Sequence, residues 1–270
     1  MEKPTLILSP WKTEDSVVVA EAATTAGWIV RRVSGWRGIL NLKVDGETCV
    51  YGERLFVIFV AEHLPVVYLE PPRDWIEHVS EAFRKRDIRF TTLGSARLGP
   101  FPAFVKPAVD KAFVAGVFTH ADDLPSADKL PDHVPVYVSE IVSWLDEFRC
   151  FVVDGQIRTL SPYLRDGEIA DGPDHTWPMT QEERATVREF AQAVVDRTQA
   201  YNPPGFVLDV GRIEGRGWAA LEVNPANASG VYGCDPAEVL NAVRASCVLK
   251  KDVGPKHMKW LQEFVSWDVD

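Results

Sequence analysis

Seven polar residues sit inside runs that are otherwise apolar. Lys106 lies in AFVKPA, Glu140 in VPVYVSEIV, and Asp209 interrupts FVLDV. Glu147 and Arg149 bracket Phe148 in EFRCFVV, and Glu222 and Asn224 interrupt ALEVNP. A charge inside a half-buried strand is costly unless it is paired or binds an ion or ligand. One such residue reads as a salt bridge. Six charges of both signs read as a polar cleft lined by strands. Asp209, Glu222 and Asn224 offer three oxygen donors on one hairpin, a set that suits a hard divalent cation. Mg²⁺ is typically held by one or two carboxylates together with substrate phosphates. Lys106 and Arg149 opposite them would hold those phosphates. The plainer reading is ion pairing: Lys106 to one of the acids, Arg149 to Asp209 or Glu222, Asp209 to Arg212, and Glu140 to a surface lysine.

The elements that position these residues fall into two kinds. TLILSP and WIVRRV read as strands around a helix in TEDSVVVAEAATTAG that stops at Gly27. That β-α-β order is the unit of a parallel sheet. CVYGERLFVIFVAEHL begins as a strand and continues as a helix, and VVYLEPP is a strand. PPRDWIEHVSEAFRKR reads as a helix, with proline at its start and cations at its end. DIRFTTL closes this half. Residues 1–95 therefore read as an N-terminal α/β lobe. Residues 96–250 read as an α+β lobe of antiparallel strands, with hairpins at Asp154-Gly155 and Glu214-Gly215-Arg216-Gly217. Its helices are TQEERATVREFAQAVVDRTQ and DPAEVLNAVRASCVL, the second with Val239, Val243 and Cys247 in one stripe. Residues 251–270 form a tail expected to pack back as a short helix through Trp260, Leu261 and Phe264.

Composition narrows the function. The 270 residues carry a formal net charge of −10, which argues against a general nucleic-acid binder. No apolar run is long enough for a membrane span, and the N-terminus does not read as a signal peptide. Cys49, Cys150, Cys234 and Cys247 show no C-x-x-C pair and read as reduced thiols in a cytoplasmic protein. The six histidines show no zinc spacing. There is no P-loop, no dinucleotide fingerprint after a strand and no nucleophile elbow. The glycines of GRIEGRG are turn residues.

The combination of FVKP, VSEIV, EFRCFVVDG and LEVNP resembles the ATP-grasp superfamily over roughly residues 96–250. A closer resemblance is to a subgroup described mostly as domains of unknown function. The resemblance implies an ATP-grasp fold with an N-terminal pre-ATP-grasp lobe and a C-terminal ATP-binding lobe. It implies that Lys106 contacts the α- and β-phosphates, that Glu140, Ile141 and Val142 meet the adenine, and that Glu147 holds the ribose. Asp209, Glu222 and Asn224 would bind Mg²⁺, and Arg149 would stabilise the transferring phosphoryl group. One departure stands out. The loop after the lysine strand, AVDKAFVAG, is not Gly/Ser-rich; Lys111 would replace backbone cradling with a charge contact, and Phe113 would cover the site. Around the site, Tyr163 and Arg165 are candidates for the substrate side, and DGPDHTWP, with His175 and Trp177, for a lid. Trp36 and Arg37 of SGWRG read as turn residues that could reach substrate. The implied activity is ATP-dependent carboxylate–amine ligation on small-molecule or peptide substrates. A phosphotransferase, a non-catalytic nucleotide-binding module and a structural protein are the rivals.

Overall fold

The computed structural model describes residues 3–108 and 112–261. Strands β1 (Thr5–Leu8), β2 (Ile29–Arg32) and β3 (Thr48–Tyr51) form a parallel sheet in the order β2-β1-β3. Helix α1 (Glu14–Thr25) is the crossover. Thr13 caps it by accepting the Ser16 N–H, and Glu14 and Asp15 suit the positive end of its dipole. Residues Trp36–Leu40 form a one-turn helix, α2, where the sequence suggested a turn. Helix α3 (Arg54–His63) follows β3 closely and buries Phe56, Val57, Val60 and Ala61. Strand β4 (Val66–Tyr68) leaves this lobe.

The segment 71–86 is not one helix. A 3₁₀ turn at Trp75–His78 and the short α4 (Glu81–Arg84) are separated by extended Val79 and Ser80. The break lets Trp75, Ile76 and Val79 all enter one core, which a single helical stripe would not allow. The indole of Trp75 donates to Asn202 Oδ1 at 3.0 Å.

DIRFTTL does not close the N-terminal sheet. It forms β5 (Ile88–Thr92), which leads into α5 (Leu93–Arg97) and joins a four-stranded antiparallel sheet with β6 (Ala103–Pro107), β7 (Gly116–Phe118) and β8 (Pro135–Ser139). The order is β5-β8-β6-β7. Strand alternation is strict here. Val105, Val136 and Val138 face their own core with Leu93 and Ala96, while Lys106 and Tyr137 face the other way, onto a cavity.

The largest sheet is antiparallel, in the order β11-β10-β9-β12-β13. Its strands are β9 (Trp144–Val153), β10 (Gln156–Arg165), β11 (Glu168–Ile169), β12 (Gly205–Ile213) and β13 (Gly217–Asn224). Both expected hairpins form. Asp154 and Gly155 have φ of 48° and 76°, as a tight β9–β10 turn requires. One face carries Phe148, Cys150, Val152, Leu208 and Val210 against Val187, Ala191, Val194 and Val195 of α6 (Gln181–Arg197). On the other face, Phe151 and Val207 pack on Val239 and Val243 of α7 (Pro236–Ser246), which also meets Leu6 and Leu8 of β1. Helix α7 thus ties the N-terminal lobe to the large sheet. It ends at Ser246. Cys247, expected in its stripe, begins β14 (Cys247–Leu249), which pairs with β4.

Helix α7 crosses β12 so closely that only glycine fits at position 205. An added Cβ would overlap the Ala242 carbonyl oxygen and lie 2.7 Å from the Ser246 nitrogen, both backbone atoms. Gly205→Ala is therefore expected to destabilise the protein by about 1–3 kcal/mol, read as a lowered denaturation midpoint in urea. A midpoint equal to wild type would contradict this packing.

In the tail, the described residues form only 3₁₀ turns, Lys250–Asp252 and Met258–Trp260. Trp260 does pack back. Its indole donates to Tyr201 O at 3.2 Å, and its carbonyl accepts the Glu70 N–H at 3.0 Å. Phe264 lies outside the described residues. Among the described residues no helix is long and apolar enough to cross a membrane.

Candidate active site

Strand register sets the floor of the site. Arg149 on β9 lies opposite Asp209 on β12, which lies opposite Glu222 on β13. Three charged side chains therefore stand side by side on one face. Asp209 is fully buried, and the Arg149 guanidinium grips it with two bonds, Nε to Oδ1 at 3.0 Å and Nη2 to Oδ2 at 2.8 Å. A third bond runs from Nη1 to Gly230 O at 3.3 Å. Burial alone would lower the Arg149 pKa, but Asp209 outweighs it and holds the guanidinium above its ordinary value. Lys106 reaches across from β6 to pair with Glu222. Burial opposes ionisation of Glu222, yet the Lys106 ammonium and the Asn224 amide hold its carboxyl at about 2. The plain ion-pair readings of Lys106 and Arg149 are therefore realised here, and Arg212, the suggested partner of Asp209, pairs with Asp146 instead.

The donor set fits a hard cation. Asn224 Nδ2 lies 3.1 Å from Asp209 Oδ2 and 3.0 Å from Glu222 Oε1. A positive dipole thus already sits at the point where the two carboxylates converge. A half-turn of the amide would present Oδ1 there, giving three oxygen ligands. For a cation to bind, Lys106 must release Glu222, while Arg149 can keep its grip on Asp209.

Next to this floor, a cavity of about 320 Å³ opens between the two antiparallel sheets. Its apolar walls include Ile88, Phe104, Val117 and Leu221, with Trp75 and Trp144. Lys106, Glu147 and Glu222 stand at its polar end, and Glu140, Ile141 and Val142 edge it as the strip joining β8 to β9. Among the described residues, no hydrogen bond occupies the amides or carbonyls of Ile141 and Val142, so the strip offers both donors and acceptors. The Glu140 side chain is committed elsewhere. It pairs with Arg216 of the β12–β13 turn and accepts the Asp87 N–H at 3.2 Å, and these bonds hold its carboxyl at about 2. Glu147 is half-buried and accepts from the Tyr163 hydroxyl. Burial pushes its carboxyl up, against that hydrogen bond.

Four contributors carried no sequence signal of their own. Arg86 reads as one of several cations ending a helix, but it turns inward and is only 6% exposed. It donates to the carbonyls of Ala220 at 2.7 Å and Leu221 at 3.0 Å. Those carbonyls belong to a β-bulge, where Leu221 is the extra residue between the Asp209–Glu222 and Val210–Ala220 pairs. Arg86 thereby supports the strand that aims Glu222, and burial lowers its pKa to about 10. Tyr232 stacks on Tyr163, and the Arg149 guanidinium lies 5.0 Å and 5.2 Å from their ring centres. Arg216 looked like a turn residue and secures Glu140. Tyr137 places its ring 5.5 Å from the Lys106 ammonium.

The remaining candidates are dispersed. Lys111 lies outside the described residues. Phe113 packs edge-on against Phe118. Arg165 points to α6, where it grips Glu183 with two bonds of 2.9 Å. Trp177 packs on Tyr232, and His175 is exposed beside Asp171. Trp36 packs on Phe59 at 4.8 Å, and neither it nor Arg37 lines the cavity.

A family model for an ATP-grasp domain, the second family of its clade, matches residues 83–242, more than half of the chain. The chain belongs to the ATP-grasp family. Solved structures agree in fold. An ATP-grasp RimK domain protein from Sphaerobacter thermophilus is 13% identical, with a TM-score of 0.55, covering 89% of this chain and 98% of its own. D-cycloserine synthetase DcsG is 14% identical, with a TM-score of 0.55 over 90% and 99%. D-alanine–D-alanine ligase from Bacillus anthracis, in complex with ATP, is 13% identical, with a TM-score of 0.51 over 90% and 96%. At such identities the likeness is one of ATP-grasp fold. No curated protein matches the chain in sequence.

Proposed function

We propose that this protein is an ATP- and Mg²⁺-dependent carboxylate–amine ligase that forms an amide or peptide bond through an acylphosphate. The observation that carries this reading is the convergence of Lys106, Asp209, Glu222 and Asn224 at the polar end of an apolar cavity edged by a free backbone strip. The structural neighbours named as a ligase and a synthetase support it. In this reading the adenine lies among Trp75, Phe104 and Trp144 and meets the backbone of Ile141 and Val142, while Glu140 anchors that strip through Arg216. Glu147 holds the ribose hydroxyls. Lys106 transfers from Glu222 to the α- and β-phosphates. Lys111, in the neighbouring loop, adds a phosphate contact. Asp209, Glu222 and Asn224 hold Mg²⁺, which supplies charge neutralisation on the phosphate oxygens.

No protein nucleophile is needed. A carboxylate oxygen of the acid attacks the γ-phosphorus, the bond to the β-bridging oxygen breaks, and ADP leaves. An amine then attacks the acyl carbon, releases inorganic phosphate and loses a proton. Both steps depend on positioning and charge stabilisation. Arg149 acts on them through Asp209, whose carboxylate it orients. The acid and amine are small molecules or peptides. The thiol chemistry of the four cysteines suits the reducing cytoplasm.

Calorimetry with MgATP tests the nucleotide site, and ADP release with hydroxylamine present tests the reaction. Hydroxamate formed in step with ADP is the expected result. A phosphorylated product without hydroxamate would shift the reading to phosphotransfer onto a non-carboxylate acceptor. Absence of MgATP binding would overturn the enzyme reading altogether.

A further inference from the structure

The cleft continues past the Lys106–Glu222 pair. A second chamber of about 690 Å³ shares Lys106, Tyr137, Glu222 and Val223 with the first and adds Asn224. None of the 140–142 strip lines it. A nucleotide with its base at that strip and its phosphates at Lys106 therefore points its terminal phosphate into this chamber. The far wall comes from outside the family-matched segment: Arg54, Glu70 and Arg73. Arg54 opens α3 directly beyond β3. That is the carboxyl edge of a parallel sheet, where open α/β sheets bind ligands.

The charge of this wall is specific. Glu70 is 4% exposed, and its backbone N–H is tied to Trp260 O at 3.0 Å. It fixes Arg54 with two parallel bonds, Nη1 to Oε2 at 2.7 Å and Nη2 to Oε1 at 3.0 Å. Such a fork uses two of the five guanidinium N–H groups and orients the other three. Arg73 follows two prolines, Pro71 and Pro72, that line the same chamber. Among the described lining residues, Arg54, Arg73 and Lys106 outnumber the acids Glu70 and Glu222. One reacting carboxylate needs Lys106 and the cation of the floor, not two further guanidinium groups at the opposite wall.

Resting on the ligase reading, we infer that the second chamber is the acid site and that its substrate carries two anionic groups. The reacting carboxylate faces Lys106, and the second anion, a carboxylate or a phosphate, is held by Arg54 and Arg73. Guanidinium forks match both chemistries.

The test is calorimetry on the full chain loaded with Mg²⁺ and the non-hydrolysable analogue AMPPNP. Succinate, glutarate and phosphoglycolate are the dianionic probes, and butyrate is the monoanionic control. At least one dianion is expected to bind tenfold or more tightly than butyrate, and the better of succinate and phosphoglycolate identifies the second group. Arg73→Gln is expected to weaken that dianion at least tenfold while AMPPNP binding stays within twofold. Arg54→Lys keeps a charge beside buried Glu70 but removes the fork, and is expected to act in the same direction. The inference is overturned if butyrate matches the dianions, if no dianion binds the loaded protein, or if both variants lose AMPPNP affinity in parallel. That last outcome would make the arginines nucleotide ligands. Failure of the wild-type chain to take up AMPPNP would instead remove the nucleotide reading, and this inference with it.

Discussion

Glu222→Gln is expected to lower ATP turnover by on the order of 10³-fold while leaving the fold intact. The substitution keeps shape and hydrogen bonding, because a glutamine oxygen still accepts from Lys106 and from Asn224 Nδ2, the present partners of Glu222. What it removes is the charge that a divalent cation requires at the point where Asp209, Glu222 and Asn224 converge. It also removes the partner from which Lys106 is exchanged when phosphates arrive. Both side chains of that pair are more than a quarter exposed, so the stability change should stay within about 1 kcal/mol. ADP release under saturating MgATP and acid measures the first effect, and a urea denaturation curve measures the second. Turnover at the wild-type rate would remove Glu222 from the metal site.

Arg149→Met should act in the opposite way, on stability first. Asp209 has no exposed surface and relies on Arg149 for two charge-assisted bonds. Removing the cation leaves a buried carboxylate facing only the Asn224 amide, which costs about 3–5 kcal/mol. The rings of Tyr163 and Tyr232 would also lose the guanidinium between which they are arranged. The double variant Arg149→Met/Asp209→Leu separates stability from function. An apolar pair of similar volume should recover most of the lost stability, as replaced buried ion pairs often do. It should not recover Mg²⁺-dependent nucleotide binding, because one carboxylate ligand is gone. Denaturation midpoints and calorimetry read the two arms. A single variant within about 1 kcal/mol of wild type would show that Asp209 does not depend on Arg149.

Much of the site was legible because strands are periodic. Side chains on a strand alternate between faces, so Arg149 and Asp209 had to share a direction opposite to Cys150 and Leu208 once their strands paired in this register. The same logic put Lys106 on the cavity side of β6 and Val105 on the core side. The hairpins were equally local, since Asp154-Gly155 carries the backbone freedom its turn needs. The segment 71–86 failed for a reason that is also physical. Its proline start and cationic end do favour a helix, but Trp75, Ile76 and Val79 gain more from entering one shared core than from an unbroken hydrogen-bond ladder.

The sequence by itself therefore determined which side chains could meet a ligand, because composition, alternation and turn chemistry act over a few residues. It also carried the family resemblance, through motifs that lie together on the large hairpin and on the lysine strand. Tertiary structure alone decided who pairs with whom. Lys106 and Glu222 are 116 residues apart, and Arg86 meets the Ala220 carbonyl across 134. It made Arg149 a support for Asp209, turned Arg216 into an anchor for Glu140, and brought Arg54, Glu70 and Arg73 to the far wall of the second chamber. Partnership between charges depends on distance and burial in space, and local sequence encodes neither.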